Sequence, residues 1–227
     1  VMNVQELLFA PYQGYSTLQI TLEITAALFG LLSVYFSMKK SIWVYPTGIL
    51  STTIYVYILF VFGLLGDMLI NVYYTIMSIY GWVLWSRSAD SNFKVQVEYT
   101  TPRQWIIAGV LFTASLLLVL LIYYYKPAID NGFSTASVSL GFAHLDWANY
   151  LDILTTSIFL VGMWLMAKRK IENWIFWIVG DIICVPMFLY KGLAITSLQY
   201  LLFTVLAYLG YRAWIRSAQD TLELGKS

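Results

Sequence analysis

Gly81-Trp82-Val83-Leu84-Trp85 closes one long apolar stretch, and Gly210-Tyr211-Arg212-Ala213-Trp214 closes another 129 residues later. Gly63 and Gly192 keep that offset, and so do Glu23 and Asp152. Between these anchors the register is expected to drift, because Gly48 matches Gly180 best, at 132, so that small loop insertions and deletions offset each other. A repeated unit in an apolar chain points to a transporter with its substrate site between the repeats.

Composition supports a membrane location. Of 227 residues, 60% are hydrophobic and 11% charged, with a mean hydropathy of +0.72; soluble domains carry roughly a quarter charged residues. A helix needs about 20 apolar residues to cross a bilayer. Seven such spans are read, at 18–38, 42–62, 67–86, 104–125, 147–167, 171–190 and 193–215. The runs are long and lack period-two alternation, which favours helices over a barrel. The first 15 residues are too short and polar for a span, and Leu7, Leu8 and Phe9 beside Pro11 and Tyr12 suit an interfacial helix. No basic n-region or cleavage site marks a signal peptide. Cys184, the single cysteine, rules out an intrachain disulfide framework.

Lys39, Lys40, Arg87, Lys94, Arg103, Lys168, Arg169, Lys170, Arg212, Arg216 and Lys226 fall on one side of this topology, and only Lys126 and Lys191 on the other. Eleven against two predicts an outside N-terminus and a cytoplasmic C-terminus. The net charge of +1 gives no sign of a nucleic-acid partner, and the basic residues are expected to face anionic lipid.

Three helices are an odd number, so a directly joined second copy would be inverted. The extra span at 104–125, rich in Leu, Ile and Val, restores the orientation. The expected fold is therefore all-α: seven transmembrane helices in two parallel three-helix repeats joined by one connecting helix (3+1+3). The organisation expected is 1–17 interfacial segment, 18–86 first repeat, 87–146 connecting helix with its loops, 147–216 second repeat and 217–227 cytoplasmic tail. The external loop is read as 126–146 and the long internal one as 86–103. Pro46 and Pro186 interrupt the second helix of each repeat, at different depths. A bend useful to a rocking transporter and the ordinary tolerance of membrane helices for proline weigh equally.

Polar side chains at bilayer depth cost about 2.5–3.5 kcal/mol each when charged, so each needs a reason. Trp174, Trp177 and Asp181, spaced i, i+3, i+7, share one helix face. Two indoles beside a carboxylate suit a heteroaromatic ligand bearing hydroxyls or positive charge. For Trp174 an aromatic-belt role stands level with a site role; Trp177, deeper in, favours the site. Asn71, Tyr74, Ser78, Trp82 and Trp85 form a stripe on the third span, the last two read as belt residues. In the second repeat Thr196, Gln199 and Tyr200 lie at comparable depth, Thr196 matching Asp67 and Gln199 matching Ile70. Asn71 and Gln199 are the expected hydrogen-bonding pair for a substrate, with interhelical bonding the competing role. Glu23 and Asp152, accompanied by Asn149, Thr155 and Thr156, read as structural bracing. His144 has no metal partners at ligand spacing and reads as solvated, and Cys184 as packing. No P-loop, nucleophile elbow or zinc motif is present, so neither an enzyme nor a cofactor is expected. A retinal protein fails because no span carries a central lysine; Lys191 lies at a span end.

The run Ile171-Glu172-Asn173-Trp174-Ile175-Phe176-Trp177-Ile178-Val179-Gly180-Asp181, with Leu189-Tyr190-Lys191-Gly192-Leu193 and Leu209-Gly210-Tyr211-Arg212-Ala213-Trp214 downstream, closely resembles the PnuC family of bacterial vitamin transporters. Ile79-Tyr80-Gly81-Trp82-Val83-Leu84-Trp85 and Leu154-Thr155-Thr156-Ser157 extend the likeness to about residues 18–216. The resemblance implies a 3+1+3 fold related to the SWEET sugar transporters. It implies uptake of nicotinamide riboside by facilitated diffusion across the bacterial inner membrane, made net inward by a cytoplasmic nicotinamide riboside kinase. Thiamine, riboflavin and deoxynucleosides are the substrates of sister branches, a membrane receptor is the reading from another class, and assembly into a homo-oligomer stays open.

Overall fold

The structure, a computed structural model, describes residues 16–61, 65–190 and 194–224, with side chains except at 65–67, 194–196 and 222–224. The proposed interfacial helix, Lys191 and Lys226 lie outside the described residues. Seven helices follow one another: α1 (Thr17–Met38), α2 (Val44–Val61), α3 (Leu65–Ser86), α4 (Pro102–Asp130), α5 (Trp147–Ala167), α6 (Asn173–Tyr190) and α7 (Ala194–Leu224). Local chemistry sets their starts. Ser16 with Gln19 and Thr101 with Gln104 form capping boxes, Pro102 takes the first turn of α4, and Asp146 caps α5 by accepting from the Asn149 amide.

Helices α1 to α6 are each long and apolar enough to cross a membrane. Helix α7 corresponds to the seventh span read from the sequence and carries no acidic or basic residue from Ala194 to Tyr211, although over its full length it is the least apolar of the seven. Its Leu201, Leu202, Val205 and Leu209 are nevertheless exposed, as are Ile106, Val110 and Leu117 of α4. These bare apolar faces suit lipid. Two element ends also differ from the sequence reading. Helix α4 continues through Lys126 and Pro127 to Asp130, closed by a Lys126–Asp130 ion pair of 2.9 Å, where an external loop was expected from 126. Helix α7 runs to Leu224, so much of the expected tail is helical.

The drift in repeat register does not occur. Met38 and Ala167, and Val44 and Asn173, are paired helix ends, both at the single offset of 129. Gly48 therefore corresponds to Trp177, and Gly180 to Ser51; the glycine match at 132 aligned residues three positions apart on the helix. Packing confirms the pairing. A Cβ on Gly30 would meet Ser51 Oγ at 3.3 Å, while one on Gly180 would strike the Phe159 ring at 2.2 Å, so the same α1–α2 contact is made with bulk and void exchanged. Gly81 and Gly210 make room in the same way for their equivalents Tyr45 and Trp174, whose rings would lie 2.3 and 2.6 Å from an added Cβ.

The halves are joined by equivalent bonds. Trp85 on α3 donates its indole N–H to the carbonyl of Met166 at the end of α5 (3.1 Å), and Trp214 on α7 donates to the carbonyl of Ser37 at the end of α1 (2.9 Å). Ser37 Oγ also touches Met166 Sδ at 3.4 Å, and a residue meets its own equivalent only close to a twofold relation. Trp85 and Trp214 are fully buried. This overturns the belt role for Trp85, while Trp82 remains exposed. The rings form a chain, Tyr45 to Trp85 at 5.2 Å, Trp85 to Trp214 at 6.1 Å and Trp214 to Trp174 at 5.5 Å, with edge-to-face contacts at both ends.

At this end α1 and α5 stop identically, with Lys40 (φ 57°) and Arg169 (φ 60°) in the left-handed region and Ser41 and Lys170 amides bonding back to Phe36 and Leu165. The segment between α3 and α4 straps both turns. Phe93 and Val95 pair with Ile42 and Lys40, and Glu98 pairs with Arg169 and Ile171. Lys170, counted among residues facing lipid, is instead buried against Glu98 at 2.8 Å. Lys40 reaches Ser217 Oγ, and burial, then the nearby Lys94, pushes its ammonium below the ordinary lysine range. Pro46 sits in the first turn of α2, where no amide bond is lost, so it starts that helix rather than interrupting it; Pro186 is internal to α6.

Since the two indole bonds are equivalent, Trp85→Phe and Trp214→Phe should each destabilise the protein by about 1–3 kcal/mol. Thermal unfolding in detergent checks this; a large loss for one and none for the other would refute the reciprocal bracing.

Candidate functional site

Between the halves lies a cavity of about 250 Å³, near the lower end of the roughly 300–1,000 Å³ usual for small-molecule sites. Most of its lining residues come as equivalents at the 129 offset: Gly30 and Phe159, Val34 and Met163, Ser37 and Met166, Tyr45 and Trp174, Gly48 and Trp177, Thr52 and Asp181, Tyr74 and Phe203, Ser78 and Ala207. The cavity is thus symmetric in position and asymmetric in chemistry. The second half supplies rings and the acid. The first supplies glycines and hydroxyls, with Ser33 and Ser51 completing that wall.

On the ring side, Phe159 stacks on Trp177 (5.3 Å, 22°) and on Tyr200 (6.4 Å, 14°), and Tyr200 stacks on Phe188 (5.0 Å, 9°). Helix α6 places Trp177 and Asp181 one turn apart on the cavity face. Asp181 is 4% exposed and receives no hydrogen bond or ion pair from any described residue. A buried carboxylate without a partner is costly and calls for a cation or donor from elsewhere. Trp174 is 2% exposed and forms the cavity's end wall rather than belonging to a belt. Among the described residues its indole nitrogen, like Tyr45 Oη, has no bonding partner.

Of the residues singled out in the sequence, the structure brings Trp174, Trp177, Asp181, Tyr74 and Tyr200 to this one cavity, together with Ser78. Asn71 and Gln199 do not line it. Asn71 stands one turn beyond Tyr74 along α3, and its equivalent in the lining is Tyr200; Gln199 is rotated away from Tyr200 by one residue. The side chain of Thr196 lies outside what the structure describes. Sequence reasoning missed the hydroxyl wall on α1 and α2, because small residues there carry no pattern distinct from packing. The 129 offset applied to Trp177 and Asp181 would have found Gly48 and Thr52. Asp152 accepts from the Tyr123 hydroxyl and so ties α4 to α5, away from the cavity. Among the described residues no group of His, Cys, Asp and Glu is suited to hold a metal, and His144 is exposed.

Two equivalent helical halves enclosing a mid-bundle cavity behind lipid-facing surfaces define a multi-pass membrane transporter rather than an enzyme. Comparison with known proteins agrees. A family model described as "Nicotinamide mononucleotide transporter" matches residues 20–216. The nicotinamide riboside transporter PnuC of Escherichia coli (strain K12) is 26% identical over 208 residues, covering 88% of this chain and 87% of its own. The riboflavin/roseoflavin transporter RibM of Streptomyces davaonensis is 24% identical over 200 residues, covering 86% and 84%. The crystal structure of the vitamin B3 transporter PnuC superposes with a TM-score of 0.65 at 22% identity, covering 96% of this chain and 88% of that one. The chain belongs to the PnuC family of transporters.

Gly180→Ala should cost about 1–3 kcal/mol and push the Phe159 ring towards the cavity. A lower melting temperature together with altered tryptophan fluorescence from Trp177 is the expected result, and an unchanged melting temperature counts against this packing.

Proposed function

We propose that the protein carries nicotinamide riboside across the bacterial inner membrane by facilitated diffusion, with net uptake driven by phosphorylation of the riboside in the cytoplasm. The observation that carries this reading is the two-sided cavity: stacked rings with an unpartnered carboxylate on one wall, hydroxyls on the other. A pyridinium ring is flat, aromatic and cationic, so Trp177 and Trp174 offer it π faces and Asp181 offers the counter-charge. Riboside is favoured over the mononucleotide. None of the described lining residues is Lys, Arg or His, and a phosphate beside the Asp181 carboxylate would bring two uncompensated negative charges together. The similarity to RibM keeps riboflavin as the second reading, but its three fused rings demand more room than about 250 Å³ provides and its neutral ring brings no counter-charge to Asp181.

The membrane arrangement proposed is seven spans in a parallel 3+1+3 plan, with the strap and the basic residues in the cytoplasm and the N-terminus outside. Helix α7 spans because it is the equivalent of α3. Four buried rings, Tyr45, Trp85, Trp214 and Trp174, then stand between the cavity and the cytoplasm. Release inward requires one half to rock against the other and part the reciprocal indole bonds.

Titration calorimetry of the detergent-solubilised protein should give binding heat with nicotinamide riboside and none with riboflavin or thiamine. Asp181→Asn should weaken that binding by about 2 kcal/mol or more, roughly 30-fold, and Trp177→Ala by a smaller factor. Counterflow in proteoliposomes should persist with no imposed ion gradient. Heat with riboflavin alone would move the protein to the other branch, and counterflow that stops without a sodium or proton gradient would refute facilitated diffusion.

A further inference from the structure

We infer that the first-half wall of the cavity, built from Ser33, Ser51, Thr52 and Ser78, is a subsite for a vicinal diol, and that Thr52 and Ser78 decide between a ring bearing a sugar and the same ring without one. The inference rests on the functional reading above and assigns that ligand's orientation.

Hydroxyls serve as donors or acceptors, and here their protons are largely committed. Ser33 Oγ donates to the Val44 carbonyl (2.8 Å), Ser51 Oγ to the Ala26 carbonyl (2.7 Å) and Thr52 Oγ1 to the Gly48 carbonyl (3.1 Å). Each oxygen is left with lone pairs and no proton to give. Thr75 Oγ1, which shares its one proton between the Asn71 carbonyl (3.0 Å) and Thr52 Oγ1 (2.8 Å), holds the Thr52 side chain in place and still leaves it an acceptor site. Ser78 is buried and has no hydrogen-bond partner among the described residues, so it alone is free in both senses. The wall is therefore a row of acceptors, and it selects a ligand rich in O–H donors.

Space agrees with that chemistry. A Cβ on Gly48 would lie 3.0 Å from Ser33 Oγ and 3.9 Å from Ser78 Oγ, so Gly48 brings these two hydroxyls to one stretch of the wall with no side chain between them. The position equivalent to Gly48 across the cavity is Trp177. Small polar residues also pack helices, but the unpartnered, buried Asp181 on the facing wall is independent evidence that this space takes a ligand. Ring against Trp177 and Asp181, sugar against Gly48 and Thr52: the ligand spans the two halves, and each half reads one end.

The test uses two probes on the full-length protein, nicotinamide riboside and 1-methylnicotinamide, which keeps the cationic ring and replaces the sugar by a methyl group. Riboside affinity comes from calorimetry and 1-methylnicotinamide affinity from displacement of labelled riboside. Thr52→Val and Ser78→Ala should each weaken riboside binding about 3- to 10-fold and leave 1-methylnicotinamide unchanged, with Thr52→Ser restoring the riboside. Equal weakening of both probes, or no change for the riboside, overturns the diol subsite. Wild-type protein that binds the riboside but is never displaced by 1-methylnicotinamide overturns the proposed orientation, in which Trp177 and Asp181 hold the ring by themselves. Wild-type protein that binds neither probe overturns the functional reading and the subsite with it.

Discussion

Everything in this structure hangs on a pair of exchanged hydrogen bonds. Trp85 of the first half bonds the last turn of α5, and Trp214 of the second bonds the last turn of α1. Each indole crosses to the other half, so neither half can complete its own core alone. The acceptors, Ser37 and Met166, are themselves equivalent and in contact. That contact puts the twofold relation between them and makes the end walls of the cavity symmetric. The glycines at 81 and 210 follow from it, since the rings of Tyr45 and Trp174 fill the volume a side chain there would take. A buried N–H without an acceptor costs about 1–3 kcal/mol, so the exchange also penalises any arrangement in which the halves separate.

Symmetry of position with asymmetry of chemistry is how a duplicated bundle comes to bind an asymmetric molecule. At the contact between first and second helices, Gly30 with Ser51 becomes Phe159 with Gly180, and Ser33 with Gly48 becomes Gly162 with Trp177. Helix spacing survives because each pair keeps one small member. The bulk moves from neither member in the first half to one member in the second, and the cavity acquires a ring wall without any change in backbone register. Thr52 and Asp181 show the same divergence in charge.

The fold was legible because membrane helices obey strong constraints: apolar length, segregation of basic residues and a repeat long enough to detect. Its finer register was not. Gly48 and Gly180 resemble each other in type, but packing decides equivalence through pairs of residues, and a single-residue match cannot see the partner. The site was half legible. Trp177 and Asp181 stand out at membrane depth because such residues are costly there, whereas Ser33, Ser51 and Thr52 are cheap in any helix and become distinctive only once they face a carboxylate. Trp85 was misplaced for a related reason: a tryptophan near a helix end reads as a belt residue until a neighbouring half covers it. Asn71 sits on the correct face of α3, yet periodicity gives direction around a helix and not where along it the cavity stops.

Under the proposed mechanism the carrier must reorient both loaded and empty, and this bears on Asp181. An unpaired carboxylate between two rocking halves would resist a dry, closed intermediate, whose dielectric penalises an isolated charge. A cationic ring removes that penalty, whereas an empty cavity needs water or a proton to do so. The hydroxyl wall gives water a place, since its acceptors and Ser78 hold a hydration cluster as readily as a diol. The loaded carrier therefore closes around a neutralised pair and the empty one around solvent. Exchange of riboside for riboside should then run faster than net flux, the asymmetry expected of a facilitator whose cavity charge is matched by its cargo.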